Sequence, residues 1–142
     1  MRTPLKIMTW NIRVMSGQES MFPFKKLSWC KRLKRITEII KEESPDVIFF
    51  QETANFLQSM TLSQSLLDYV EFYAYDKSPF SEGVAIYIHK RMSRYTPIQI
   101  KTSKYSTGRK PCSVKIFIDG EPILLTSIHL NGDELTEVGI GT

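Results

Sequence analysis

Three polar residues of different chemistry each close a strand-like apolar run. Leu5–Trp10 leads into Asn11, Asp46–Gln51 into Glu52, and Ile123–Ile128 into His129. Side chains at strand ends can converge at one rim of a sheet, where ligands of mixed α/β folds collect. An amide, a carboxylate and an imidazole together suit metal-assisted hydrolysis. Glu52 can hold Mg²⁺, a hard cation that takes oxygen ligands, often one or two carboxylates plus waters and substrate oxygens. Such a cation neutralises charge on a phosphate and lowers the pKa of a bound water. Asn11 offers a carbonyl oxygen and an NH₂ group to the metal, a phosphate oxygen or Glu52 itself. His129 can donate to a phosphate oxygen or act as general acid or base. Plainer roles stand beside these: a loop-starting asparagine bonded to its own backbone, an exposed glutamate, a histidine packed at a strand end.

Other residues carry weaker signals. Arg109 and Lys110 precede the run that starts at Cys112, and Arg109 can grip a phosphate with a bidentate fork; a solvated turn is the alternative. His89 lies beside Lys90, Arg91 and Arg94 and reads as structural or surface. The 142 residues allow one domain, with a hydrophobic fraction of 42% that argues against disorder. A net charge of +4 and a pI near 9.1 fit a polyanionic substrate, nucleic acid or a phosphorylated head group, as well as an ordinary solvated surface. Cys30 and Cys112 form neither a disulfide framework nor a zinc spacing, and reduced thiols in a cytoplasmic protein are expected. No signal peptide is read at the N-terminus, and no apolar run reaches membrane-spanning length.

The elements that must position these residues are legible in outline. A first strand covers Leu5–Trp10, and a loop follows to about Leu27. Ser28 is placed to cap a helix whose stripe is Trp29, Leu33, Ile36 and Ile40, with Lys31, Arg32, Lys34, Arg35 and Lys41 mostly on the other face. Ser44-Pro45 stops it. Val47–Gln51 is a continuous apolar run, expected as a central strand buried on both faces. Asn55–Leu67 reads as a second helix, with Phe56, Met60, Ser63 and Leu67 on one side. Strands follow at Tyr69–Tyr75, Val84–His89 and Ile98–Ile100, the last near an edge because of Pro97. Asp119-Gly120 predicts a hairpin between Cys112–Ile118 and Ile123–Leu130. The segment 131–142 reads as an irregular tail.

Four blocks in this order resemble the N-terminal half of the endonuclease/exonuclease/phosphatase (DNase I-like) superfamily. Lys6–Ile12 is similar to its opening strand ending in Asn. Pro45–Glu52 is similar to its PDV…QE block, Glu82–Tyr87 to its GVAI strand, and Leu124–Leu130 to its strand ending in THL. The resemblance implies an α/β (α+β) fold: the first half of a four-layer α/β/β/α sandwich, with a mixed, largely antiparallel sheet and two helices on one face, over residues 1–130. It implies Mg²⁺ (or Mn²⁺) on Glu52 with Asn11 beside it, His129 as the first active-site His or Tyr, and Arg109 as a phosphate contact. The implied activity is metal-dependent phosphodiester or phosphomonoester hydrolysis, nuclease-like by the basic charge balance.

The family's later Gly-Asp-x-Asn and Ser-Asp-His blocks have no counterpart here, and Asn131–Glu134 follows His129 too closely to stand in. A chain so truncated is expected to be inactive alone. Its sheet face built from Val47–Phe50 and Val84–Ile88 is expected to stand open and to seek a complementing C-terminal half or a homodimer. The alternative is a non-catalytic phosphate- or nucleic-acid-binding, or dimerising, remnant. It would bind through Lys31, Arg32, Lys34, Arg35, Arg109 and Lys110, steeply weakened by salt and without Mg²⁺.

Overall fold

The structure is a computed structural model that describes residues 4–12, 23–53, 56–75, 82–92, 97–101 and 110–129. The chain runs β1 (Ile7–Asn11), α1 (Pro23–Glu43), β2 (Val47–Thr53), α2 (Phe56–Ser65), β3 (Tyr69–Tyr75), β4 (Gly83–His89), β5 (Ile98–Ile100), β6 (Cys112–Ile118) and β7 (Glu121–Ser127). A four-stranded sheet has the order β1-β2-β4-β3, and a three-stranded sheet the order β5-β6-β7. Among the described residues, β1 and β2 pair in parallel and every other pairing is antiparallel, as expected.

Both helices cover one face of the four-stranded sheet. Ile36 and Ile40 of α1, with Leu62 of α2 and Leu66 just after it, pack on Ile48, Phe50, Ala85 and Tyr87. The opposite face corrects an expectation: it is not open. Val47, Ala74, Val84, Ile86 and Ile88 bury against Cys112, Val114, Ile116 and Leu125 of the second sheet. The chain carries its own covering layer because β6 alternates apolar residues at period two and offers a full inward face. The described layers are therefore helix, sheet, sheet. β2 and β4 are apolar on both faces because both faces are covered.

Local expectations shift in four places. β1 begins at Ile7 and includes Asn11. Helix α1 starts at Pro23, so Ser28 lies inside it; proline is pre-organised for a first helical turn, whose N–H groups have no intrahelical partner anyway. In α2 the core side is Leu62 with the adjoining Leu66, whereas Met60 is 42% and Leu67 70% exposed. The rotation that buries most leucine against β2 and β4 wins over the Met60–Leu67 stripe. Strand β7 ends at Ser127, so His129 lies two residues beyond the ladder. The hairpin turn is as expected: Asp119 and Gly120 both take positive φ, 52° and 83°. Residues 131–142 lie outside the described residues.

The far end of the four-stranded sheet is closed by a polar staple. Asp46 accepts from the Lys6 amide at 2.8 Å and from Arg91 Nε at 2.7 Å, while Arg91 Nη1 donates to Ser44 Oγ at 2.7 Å. Burial raises the Asp46 carboxyl, but the Lys6 amide and the Arg91 guanidinium outweigh it and hold the group below the usual carboxylate range. Among the described residues, no helix is long and apolar enough to cross a membrane.

Candidate functional site

The parallel pairing of β1 with β2 sets Asn11 opposite Gln51, one residue before Glu52. At Glu52 the β2–β4 register shifts between Gln51 and Thr53, a β-bulge, and Glu52 takes φ 51°. A left-handed backbone at a non-glycine residue is uncommon, and bulges re-aim side chains beside functional sites. Here the bulge turns Glu52 towards Asn11 and His129. Asn11 Nδ2 donates to Glu52 Oε1 at 2.8 Å, and His129 Nε2 lies 3.4 Å from the same oxygen. The three sequence-predicted residues Asn11, Glu52 and His129 are therefore brought together, from β1, β2 and the residues after β7.

The side chains of Glu52 and His129 are 20% and 21% exposed. Asn11 and His129, though not Glu52 itself, line an open cleft of about 540 Å³, whose other polar lining residues are Thr9, Gln51, Thr126 and Ser127. Burial has left two polar atoms without a hydrogen-bond partner among the described residues, His129 Nδ1 and Thr53 Oγ1. Unpaired buried polar atoms are rare in folded proteins, and here both belong to the residues that flank Glu52 in sequence or in space.

Arg109 lies outside the described residues; Lys110, next to it, is half-buried. His89 cannot join the cleft. Antiparallel pairing puts it at the Val47 end of β2, while Glu52 is at the Gly83 end. There His89 packs edge-on to Tyr69 at 4.8 Å, and its Nδ1 accepts the Arg91 amide at 3.1 Å. Burial and the Arg91 charge lower its pKa. Cys112 is buried and unpaired, and burial pushes its thiol up to about 12.

Sequence reasoning passed over Gln51 and Ser127. Gln51 Nε2 reaches Thr9 Oγ1 at 3.3 Å and Ser127 Oγ at 3.5 Å; Ser127 Oγ donates to the Phe50 carbonyl at 3.3 Å. The available signal was a polar residue inside an apolar run at each rim position.

Among the described residues no three His, Cys, Asp or Glu side chains cluster. The donor set is one carboxylate and one amide oxygen. That set fits Mg²⁺, which is commonly held by one or two carboxylates and completed by water and phosphate oxygens. Asn11 and His129 both address Oε1, and Oε2 of Glu52 has no hydrogen bond among the described residues.

Comparison with known proteins shows the fold and the family. The solved humanized TDP2 of D. rerio superposes with a TM-score of 0.66 at 16% identity, covering 94% of this chain and 51% of that one. ANGEL2, described as a 2′,3′-cyclic phosphatase, gives 0.64 at 19% identity, covering 89% of this chain and 41% of that one. An endonuclease/exonuclease/phosphatase family protein from Leptotrichia buccalis gives 0.60 at 18% identity, covering 90% and 54%. These likenesses are of fold, and this chain spans about half the length of each neighbour. No curated protein sequence matches it. The sequence profile of the Endonuclease/Exonuclease/phosphatase family matches residues 8–131, from the first strand to just past His129, and the chain belongs to that family.

Proposed function

We propose that this chain supplies the metal- and phosphate-facing half of a divalent-metal-dependent phosphoesterase site, with nucleic acid as the favoured substrate. The observation that carries the reading is the convergence of Asn11 and His129, two residues that line the cleft, on Glu52 Oε1. Glu52 and the Asn11 amide would hold Mg²⁺ or Mn²⁺, which supplies Lewis-acid neutralisation of the phosphate and a more acidic bound water. Asn11 orients the carboxylate by donating to one of its oxygens, which leaves the other to face a cation. His129 Nε2, close to that same carboxylate, is set to hold a proton at the cleft and to donate it to a phosphate oxygen. Arg109 is proposed as a further phosphate contact from the segment before β6. A solved TDP2 of D. rerio is complexed with a single-strand DNA product, and the net charge of +4 points the same way.

The test is calorimetric titration of the full chain with Mg²⁺, followed by hydrolysis of bis-p-nitrophenyl phosphate and of a single-stranded oligonucleotide. Saturable Mg²⁺ binding that Glu52→Gln abolishes, with an unchanged far-UV spectrum, is expected. Equal binding in Glu52→Gln removes Glu52 from the metal role.

A second reading rests on helix α1, whose Lys31, Arg32, Lys34, Arg35 and Lys41 are exposed. Two of these lean on Glu38, with Lys34 at 4.0 Å and Arg35 at 3.5 Å. Such surface pairs are weak and leave the face basic. Oligonucleotide binding that needs no Mg²⁺, survives Glu52→Gln and falls steeply with salt would favour a binding module over a hydrolase.

A further inference from the structure

We propose that Ser127 is a positioning residue that holds His129 against Glu52 by tying the end of β7 to β2. Its side chain is 2% exposed, and its hydroxyl donates to the carbonyl of Phe50, 77 residues away in sequence, at 3.3 Å. It also accepts from Gln51 Nε2 at 3.5 Å, and Gln51 in turn reaches Thr9 of β1 at 3.3 Å. These ties cross from the three-stranded sheet to the four-stranded one, and Thr9, Gln51 and Ser127 all line the cleft.

The spacing is what gives the tie its consequence. Phe50 lies two residues before Glu52, and Ser127 two residues before His129. The link therefore sets the separation of the two strand ends one step below the pair that meets at Oε1. Beyond Ser127 the chain leaves the ladder. Ile128 is 44% exposed, and His129 Nδ1 has no partner among the described residues. No backbone ladder holds the imidazole, so the last firm anchor before it is Ser127. A hydroxyl buried this deeply is costly unless bonded, and alanine would fill the space with no such demand.

The proposal rests on the functional reading only in naming His129 and Glu52 as the pair to be held, so its test reads geometry and not turnover. The full chain is labelled at histidine; it has two, and His89 at the opposite end of the sheet is an internal reference. The quantity is the change in His129 ring shifts caused by Glu52→Gln, measured in the parent and in Ser127→Ala. The expected result is a clear His129 response in the parent, its loss in Ser127→Ala, and its return in Ser127→Thr, with His89 unmoved throughout. An undiminished response in Ser127→Ala overturns the proposal, and a lowered urea midpoint alone then marks Ser127 as a packing residue. A parent chain in which Glu52→Gln leaves His129 unmoved overturns it too. If Ser127→Ala does not fold, Ser127→Cys, similar in shape with a weak donor, gives the same comparison. Absence of Mg²⁺ binding with the coupling intact overturns only the functional reading.

Discussion

Asn11 and Glu52 stand 41 residues apart in sequence and share a 2.8 Å hydrogen bond, donated by the Asn11 amide to the carboxylate oxygen that also faces His129. A parallel strand pair and a bulge are both needed to make it: pairing brings Asn11 level with Gln51, and the bulge at Glu52 turns the next side chain back towards it. Removing the Asn11 amide while keeping the carboxylate separates what the amide adds, as orienting donor and metal-facing oxygen, from the Glu52 charge. Asn11→Ala is expected to weaken Mg²⁺ binding about 10-fold, the usual scale for loss of a group that orients a ligand. Asn11→Asp is expected to bind Mg²⁺ more tightly and to lower stability without metal, because two carboxylates then meet. Titration calorimetry and urea unfolding check both.

Glu52 holds a left-handed backbone, φ 51°, that glycine adopts without penalty. Glu52→Gly and Glu52→Ala both lose the carboxylate, but only the first relieves the backbone. Glu52→Gly is expected to be more stable than Glu52→Ala by about 1 kcal/mol, with Mg²⁺ binding lost in both. Equal urea midpoints would show that the bulge carries no strain.

Gly83 faces the bulge from β4, paired with Thr53 on one side and Tyr75 on the other. A Cβ built there would lie 2.2 Å from the Ala74 carbonyl oxygen, which is backbone and cannot swing aside. Gly83→Ala is expected to cost roughly 1–3 kcal/mol as overpacking and to disturb Glu52 through the Thr53 pairing. Urea unfolding gives the first, and loss of Mg²⁺ affinity in the still-folded variant gives the second.

The staple at the other end of the sheet predicts the acid response. Burial and the Arg91 charge lower the His89 pKa below its ordinary 6.5, so in that window the unfolded chain binds more protons than the folded one. His89 therefore contributes stability above about pH 6.5 that is lost as pH falls through its folded value. Asp46, held below its ordinary 3.8, keeps its contribution above that value and loses it only in stronger acid. The urea midpoint is expected to fall between about pH 7 and pH 5, with a shallower slope in His89→Asn. Identical slopes would remove His89 from the effect.

Much of the architecture was legible because it depends on short-range periodicity. The apolar runs at Val47–Gln51 and Val84–His89, the proline stop after α1 and the Asp119-Gly120 turn are local statements, and each has its counterpart in the fold. The face of α2 was misread for the opposite reason. Met60 and Leu67 are as apolar as Leu62 and Leu66, and only contact with Phe50, Ala85 and Tyr87 selects between two stripes on one short helix. The covered sheet face was missed likewise, since period-two alternation in β6 does not say which sheet its inner face will meet.

The sequence by itself determined the residue types of the candidate site and the elements that carry them. Asn11, Glu52 and His129 each follow an apolar run, and strand ends are where a sheet gathers side chains. What only the tertiary structure decided is their mutual geometry: the left-handed bulge at Glu52, the single oxygen that Asn11 and His129 share, and the Ser127–Phe50 tie beneath them. Those features depend on register between strands tens of residues apart. Register is set by which faces bury together, a property of the assembled layers that no local stretch of chain contains.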